Sequence, residues 1–410
     1  MSGRNGPATR RRRAGERASA RGGCGSEYST LTARGSSCVG CEGFAHPPEQ
    51  PRTSPLTPTQ RETRMTTIRR ITVLGDGQMG LVCAAILAQQ EQIGAPKPVV
   101  TLWGHQAPEV GSLATRRTST RLAAFTLPED VRVVPDDKLA LEKADLIVSA
   151  APTQHIRSVW DRLRPHVPHG AGVVSVAKGV ENETLLRPTQ IIADALQDDP
   201  DAKPRPYASL SGPTIAAELA RCLPATMVAA SDDQGFGATV QSLFTTSWLR
   251  VYTNPDLLGV ELAGAMKNVI AIAAGVLDGL QAGFNAKSAL LARGLAEITR
   301  LGVAMGARND TFFGVAGVGD LTTTCFSPEG RNRSCGEALG RGESLDAYLK
   351  KNNHVVEGVA TTKSVIDLAR KHRVEMPITE AVHAVLFDGV DPIDAIAMLM
   401  TREPKAERVG

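Results

Sequence analysis

Apolar and polar positions follow two regimes along this chain, and the change between them falls near residue 255. From Arg69 the residues RRITVLGDGQMGLVCAAILAQQ read as a short β-branched strand, a Gly75-x-Gly77-x-x-Gly80 turn and a helix-forming run rich in Ala, Leu and Gln. Further apolar strands are expected at Pro98–Trp103, Leu146–Ala150, Gly172–Ala177, Tyr207–Leu210, Ala225–Ala230 and Leu249–Tyr252. Helices fall between them near His155–Leu163 and in IAAELA from Ile215. Alternating βα units of this kind predict an α/β Rossmann-type doubly wound sheet, mainly parallel, whose ligand lies off the C-terminal strand ends. After Asn254 only helical patterns remain, at Leu257–Leu280, Ala286–Met305, Ser364–Lys371, Glu380–Leu386 and Pro392–Leu399. The expected organisation is a tail over 1–64, a Rossmann-type domain over 65–255, an all-α C-terminal domain over 256–402 and a short tail over 403–410.

The segment Leu257–Leu280 carries the most informative break in the pattern. It is apolar on every face, yet Lys267 and Asn268 stand at its centre, the only strongly polar side chains between Glu261 and Asp278. Glu261 is six residues from Lys267, about 240° around a helix of 3.6 residues per turn, so it is badly placed to pair with it. A charge partner from elsewhere in the fold is therefore expected. Desolvation lowers a lysine pKa, which suits a general acid or base near neutral pH. The structural alternative is a lysine that snorkels out of a helix at a domain junction. Because Lys267 interrupts the longest apolar stretch, no membrane span is expected.

Charge is distributed unevenly. Residues 1–64 hold 11 Arg, no Lys and 5 Glu, a charge of +6, whereas the other 346 residues carry 35 basic and 38 acidic side chains, a charge of −3. The mildly acidic remainder gives no argument for nucleic acid or a membrane surface as partner. The tail has a run of arginines at Arg10–Arg13 and no apolar periodicity, and it is expected to be disordered. An over-long start preceding Met65, a targeting segment and a binding arm are the three readings it allows. Cys38 and Cys41 form one C-x-x-C there with Cys24 and His46 nearby, and no metal site is expected. Cys83, Cys222, Cys325 and Cys335 have no framework spacing, which fits a reducing cytoplasm.

Candidate chemistry gathers at strand ends and in two glycine-rich loops. In the first turn Gly75 permits a tight bend, Gly77 allows backbone to approach a pyrophosphate and Gly80 lets the helix pack on its strand. The second strand ends in Gly104 and His105 without the Asp or Glu that holds a ribose 2′-hydroxyl, so NADP is permitted beside NAD. His105 can equally be an exposed loop residue. Lys178 and the Ser211-Gly212-Pro213-Thr214 turn also fall at strand ends. In the helical part, Gly314-x-x-Gly317-x-Gly319-Asp320-Leu321 places a carboxylate after three glycines, and Gly330-Arg331-Asn332-Arg333 sets a guanidinium beside an amide. A helix cap explains Asp320 equally well, and a solvated surface charge explains Arg331.

Taken together these blocks resemble the bacterial-type NAD(P)-dependent glycerol-3-phosphate dehydrogenases. The likeness runs from about Ile71 to about Arg402 and includes LWGH from 102, AKG from 177, SGPT from 211, GAMKNVIAIAAG from 264, GVGDL from 317, GRNR from 330 and VVEGVATTK from 355. It implies an oxidoreductase that interconverts sn-glycerol 3-phosphate and dihydroxyacetone phosphate with NAD or NADP, supplying phospholipid synthesis in the cytoplasm. It also implies a small phosphorylated triose as partner and allows a homodimer. By the same resemblance, Lys267 moves the proton at the substrate C2 oxygen, Lys178 contacts substrate and cofactor, and Gly212 and Thr214 contact substrate. Asp320 and Asn332 complete that site, Arg331 and Asn268 lie near the phosphate, and Lys178 and Asp320 join Lys267 as the catalytic group. Gly75, Gly77, Gln78, Met79, Gly80, His105, Ala216, Arg331, Val355 and Glu357 fall at dinucleotide positions. In this setting Asp320 can be the missing partner of Lys267, and Arg331 suits a phosphate bidentately. Gln78-Met79 and Gly330 depart from the family pattern, which carries Ser or Ala then an aromatic at the first place and Ser at the second. A related dehydrogenase of another small hydroxy acid or phosphate, and a non-catalytic dinucleotide sensor, are the rival readings. A sensor has no use for a desolvated proton carrier, and that argues against it.

Overall fold

The computed structural model describes residues 68–90, 96–198, 205–352, 355–404 and 406–407, and among them lie ten strands and fifteen α-helices. The expectations for the tail over 1–64, for Met65 and for Cys24, Cys38, Cys41 and His46 fall outside the described residues.

The strands are β1 (Arg70–Leu74), β2 (Val99–Trp103), β3 (Thr118–Ser119), β4 (Leu122–Thr126), β5 (Arg132–Val134), β6 (Leu146–Ser149), β7 (Gly172–Ser175), β8 (Tyr207–Ser211), β9 (Ala225–Ala230) and β10 (Leu249–Asn254). Eight of them form one sheet in the order β10-β9-β8-β7-β6-β1-β2-β5, parallel throughout except between β8 and β9. Strands β3 and β4 form a separate antiparallel hairpin. Both β6 and β7 are buried at every residue, as a parallel sheet covered on both faces requires, which is why they read as continuous apolar runs.

Among these strands lie α1 (Gln78–Ala88), α2 (Ala107–Arg116), α3 (Asp137–Leu141), α4 (Ile156–Leu163), α5 (Pro188–Leu196), α6 (Ala216–Leu219) and α7 (Gln234–Phe244). The chain runs outward from β1 through β2 to β5, then returns to β6 on the other side of β1. That reversal is a topological switch point, where ligands of such sheets bind. The glycine turn sits on it: a Cβ on Gly75, whose φ is +116°, would come within 3.0 Å of Ala150 O at the end of β6.

The rest is helical: α8 (Leu257–Gly279), α9 (Gly283–Ala304), α10 (Asp320–Phe326), α11 (Arg331–Gly340), α12 (Leu345–Lys351), α13 (Glu357–His372), α14 (Pro377–Phe387) and α15 (Pro392–Met400). Helix α8 is long and apolar enough to cross a membrane by length and composition, but 94% of its most apolar window is buried inside the protein. Helices α9, α10, α11 and α13 pack around it. Each fully buried side chain on it, such as Val260, Leu262 and Ile270, contributes about 1.5–3 kcal/mol relative to exposure.

Glycines bring α8 and α11 into backbone contact. A Cβ on Gly275 would lie 1.9 Å from Arg333 O, and one on Gly336 would lie 1.9 Å from Ile272 O. The close crossing fixes the first turn of α11 beside the middle of α8. Glu261 of α8 is buried and receives hydrogen bonds from Thr189 N and Oγ1, each at 2.9 Å, and from Arg187. It therefore ties α8 to the start of α5 and has no share in Lys267, as the helical spacing required.

Helices α10, α11 and α12 stand where the apolar pattern predicts loops or nothing at all. They are short, and glycines at 319 and 330 precede the first two. Their polar faces hide the 3.6-residue period.

Candidate active site

Lys267 and Lys178 reach one carboxylate from two directions. Lys267, in the middle of α8, donates to Asp320 Oδ1 at 2.8 Å and to Thr324 Oγ1 at 2.5 Å. Lys178, three residues past β7, donates to Asp320 Oδ2 at 2.7 Å, to Gly212 O at 2.9 Å and to Thr214 Oγ1 at 3.4 Å. Asp320 itself is 1% exposed and starts α10. It is carried there by a single π-helical turn, Val315–Gly319, in which Gly317 is obligatory because a Cβ would lie 2.0 Å from Phe312 O. So the carboxylate does not cap a helix; it joins two ammonium groups.

The two lysines differ in their remaining capacity. An ammonium has three donors. All three of Lys178 are engaged, while Lys267 uses two and has no third partner among the described residues. Burial pushes Lys178 down to about 8; the Asp320 charge opposes that shift and the Lys267 charge adds to it. Lys178 keeps 17% of its side-chain surface accessible, so it sits at the mouth of the site and Lys267, at 8%, deeper in.

A chain of amides extends from this cluster. Gly358 N donates to Asn332 Oδ1 at 2.8 Å, Asn332 Nδ2 to Asn268 Oδ1 at 2.9 Å, and Asn268 Nδ2 to Lys178 O at 3.0 Å. It links α13, α11 and α8 to the loop after β7, and both amides serve this chain. Next to it, Glu357 accepts from Thr153 N at 3.1 Å and Thr153 Oγ1 at 2.9 Å. Burial pushes the Glu357 carboxyl up, while the bonds from Thr153 and the charges of Arg331 and Lys267 pull it down. Arg331 is exposed at the start of α11 and makes no hydrogen bond or ion pair to any described residue. Arg333, by contrast, is held by Asp278 at 2.6 Å and Glu337 at 3.2 Å. Val355 is 42% exposed just before α13.

The glycine turn offers a second, distinct cradle. A Cβ on Gly77 would meet nothing within 4 Å, and one on Gly80 would strike Gly75 O at 1.9 Å. No side chain caps α1 and no acidic residue occupies its first turn. Open space in front of uncapped N–H groups at a helix start fits the diphosphate of a dinucleotide. Gln78 Nε2 donates to Arg121 O at 2.7 Å, and Met79 packs against the sheet core. The two departures in this turn thus hold the β3–β4 hairpin and fill the core. At Gly330, a Cβ would press on Ser327 O and Thr324 O, each at 3.2 Å. Ala216 opens α6, which packs on α1.

At the end of β2, His105 is exposed and its Nδ1 lies 3.2 Å from Arg162 NH1. Arg162 is anchored on Asp137 at 2.7 and 2.8 Å and lies over the Trp103 ring. The second strand carries no acidic residue of its own at this end, and Asp76 approaches the same place from the glycine turn: a Cβ on Gly104 would come within 3.0 Å of Asp76 Cγ.

Thr324, Thr153 and Asp76 carry no signal of a role in the sequence pattern. Thr324 follows Asp320 by one helical turn, a relation that becomes visible only once α10 is known to be a helix. Among the described residues, no cluster of three His, Cys, Asp or Glu could hold a metal ion.

Both the sheet-forming and the helical parts of the chain are similar to known proteins. Residues 70–237 match the family model for the N-terminus of NAD-dependent glycerol-3-phosphate dehydrogenase, and 256–397 match that for its C-terminus. A glycerol-3-phosphate dehydrogenase (NAD(P)+) from Salinibacter ruber is 46% identical over 340 residues, covering 82% of this chain and 96% of that protein. One from Bacillus pumilus is 43% identical over 336 residues, covering 82% and 95%. The crystal structure of the glycerol-3-phosphate dehydrogenase of Coxiella burnetii superposes with a TM-score of 0.76 at 33% identity, covering 82% of this chain and 99% of that one.

Proposed function

This chain belongs to the NAD-dependent glycerol-3-phosphate dehydrogenase family, and on that premise we propose how its own residues divide the work of interconverting glycerol 3-phosphate and dihydroxyacetone phosphate with NAD(P). The observation that carries the proposal is the spare donor of Lys267 in a buried cluster with Lys178 and Asp320.

The nicotinamide, when bound, supplies or takes the hydride at the substrate C2. Lys267 gives the proton to the C2 oxygen in ketone reduction and takes it back in the reverse direction. Asp320 holds that ammonium in place and prevents two buried positive charges from facing each other unscreened. Lys178 fixes the Gly212–Thr214 turn and leaves the site net positive by one charge, complementary to a phosphorylated substrate. Arg331 takes the substrate phosphate, with Asn268 and Asn332 positioning the loop and helix on either side. Gly75, Gly77 and Gly80 take the dinucleotide diphosphate, with Gln78, Met79, His105, Ala216, Val355 and Glu357 along its course.

On this division, residues 65–255 form the dinucleotide-binding domain and 256–402 the substrate and catalytic domain. A cytoplasmic place, serving phospholipid synthesis, agrees with the unpaired Cys83, Cys222, Cys325 and Cys335.

Steady-state rates with dihydroxyacetone phosphate and each reduced dinucleotide test the proposal. Turnover with at least one of them is expected. Reduction of another small keto acid or phosphate, with dihydroxyacetone phosphate inert, would overturn it.

A further inference from the structure

Asp76 supplies in space the carboxylate that the second strand lacks in sequence. Strand β2 ends at Trp103, and at the next position a Cβ on Gly104 would strike Val110 Cγ2 at 2.4 Å and press on Asp76, whose Cγ and Cβ would lie 3.0 and 3.2 Å away. Asp76 is not alone. Arg121 NH1 lies 2.6 Å from Asp76 Oδ1, and the same guanidinium pairs with Glu109 through its other nitrogen. Arg121 stands at the tip of the β3–β4 hairpin, and the bond from Gln78 Nε2 to its carbonyl holds that tip on the glycine turn. Asp76 keeps 15% of its side-chain surface accessible and Arg121 keeps 39%, so a ligand at the strand end can reach both.

The end of the second strand is where folds of this class place the adenosine ribose, with a carboxylate for its 2′-hydroxyl or an arginine for a 2′-phosphate. Here both groups are present and bonded to each other. We propose that Asp76 and Arg121 form a ribose-selecting pair. Asp76 accepts from the ribose hydroxyls of NAD, and Arg121 screens that carboxylate and turns to the 2′-phosphate of NADP. One site then admits both dinucleotides. The pair opens to solvent on the Arg121 side, so the guanidinium can shift between the carboxylate and a phosphate, which it binds bidentately. Without Arg121, the carboxylates of Asp76 and Glu109 would both face a 2′-phosphate. This inference rests on the reading of Gly75–Gly80 as a dinucleotide cradle.

The test is direct binding, free of turnover. Titrating NADH and NADPH into the parent protein, Arg121→Ala and Asp76→Asn, followed by nicotinamide fluorescence, yields two Kd values for each. Arg121→Ala is expected to weaken NADPH relative to NADH by at least about ten-fold, the loss of one charge-assisted contact. Asp76→Asn is expected to move the ratio the opposite way. Should Arg121→Ala fold poorly, Arg121→Gln removes the charge with more of the side chain kept. Ratios within about two-fold of the parent in folded Arg121 and Asp76 variants would sink the selector alone. A parent protein that binds neither dinucleotide would sink the cradle and the selector together.

Discussion

Lys178 and Asp320 are 142 residues apart in sequence and 2.7 Å apart in the structure, one at the mouth of the sheet and the other on the helical side. Because Lys267 holds the second oxygen of the same carboxylate, any change in how the two parts meet is felt at Lys267 itself.

Lys267→Met tests the proton role most directly. Methionine keeps much of the apolar volume inside α8 and removes the ammonium, so the fold is expected to persist. Turnover should fall by about 100-fold or more, the usual range for loss of a general acid or base. A folded Lys267→Met protein that binds dinucleotide and turns over within a few-fold of the parent would make Lys267 structural and move the proton to Lys178.

Much of this site is legible in the amino-acid sequence. The apolar helix around Lys267, the lack of a partner at Glu261 and the glycines at 75, 77 and 80 each follow from spacing and residue type. What stays hidden depends on folding at a distance. Asp76 reads as an ordinary turn residue until it is seen beside Gly104, and Thr324 means nothing until Asp320 and Thr324 share one helical face. The single antiparallel step between β8 and β9 is likewise invisible in their apolar patterns, since both strands are buried along most of their length.

Lys178 predicts a pH limit. Burial places it at about 8, so its ammonium is intact below that value and is lost as pH rises through it. Losing that charge lowers the positive potential on a phosphorylated ketone. The kcat/KM for dihydroxyacetone phosphate is therefore expected to decline above about pH 8. Lys178→Arg, which stays charged, should carry this limb to higher pH even if it lowers the plateau. A limb that stays where it was in Lys178→Arg would assign it to another group.

Arg331 is the guanidinium at the site with no bond to any described residue, whereas Arg333 is committed to Asp278 and Glu337. Arg331→Ala should lower the melting temperature only slightly, because no hydrogen bond or ion pair to a described residue is lost and only its charge near Glu357 goes. It should reduce kcat/KM for dihydroxyacetone phosphate by about 30- to 1000-fold, the worth of a bidentate charge-assisted contact of about 2–4 kcal/mol. It should also erase most of the preference over unphosphorylated dihydroxyacetone. Dinucleotide Kd, measured separately, distinguishes a substrate effect from a cofactor effect. A preference for the phosphorylated ketone that survives intact would point to Lys178 as the phosphate ligand.

Gly336→Ala probes the packing that positions all of this. A Cβ at 336 would sit 1.9 Å from Ile272 O of α8, and neither backbone can yield without moving its helix. The cost expected for such overpacking is about 1–3 kcal/mol, read as a lower melting temperature. The displaced helix α11 carries Arg331 and Asn332, and Asn332 is bonded to Asn268 at 2.9 Å and to Gly358 at 2.8 Å. Activity should therefore fall further than the stability loss alone would cause, with KM for dihydroxyacetone phosphate rising at temperatures where the protein is fully folded. Gly111→Ala is the control: it lies inside α2 with nothing within 4 Å of a new Cβ, so its melting temperature should hold or rise. Equal behaviour of the two variants would mean that the α8–α11 crossing has slack and that Arg331 is positioned by other contacts.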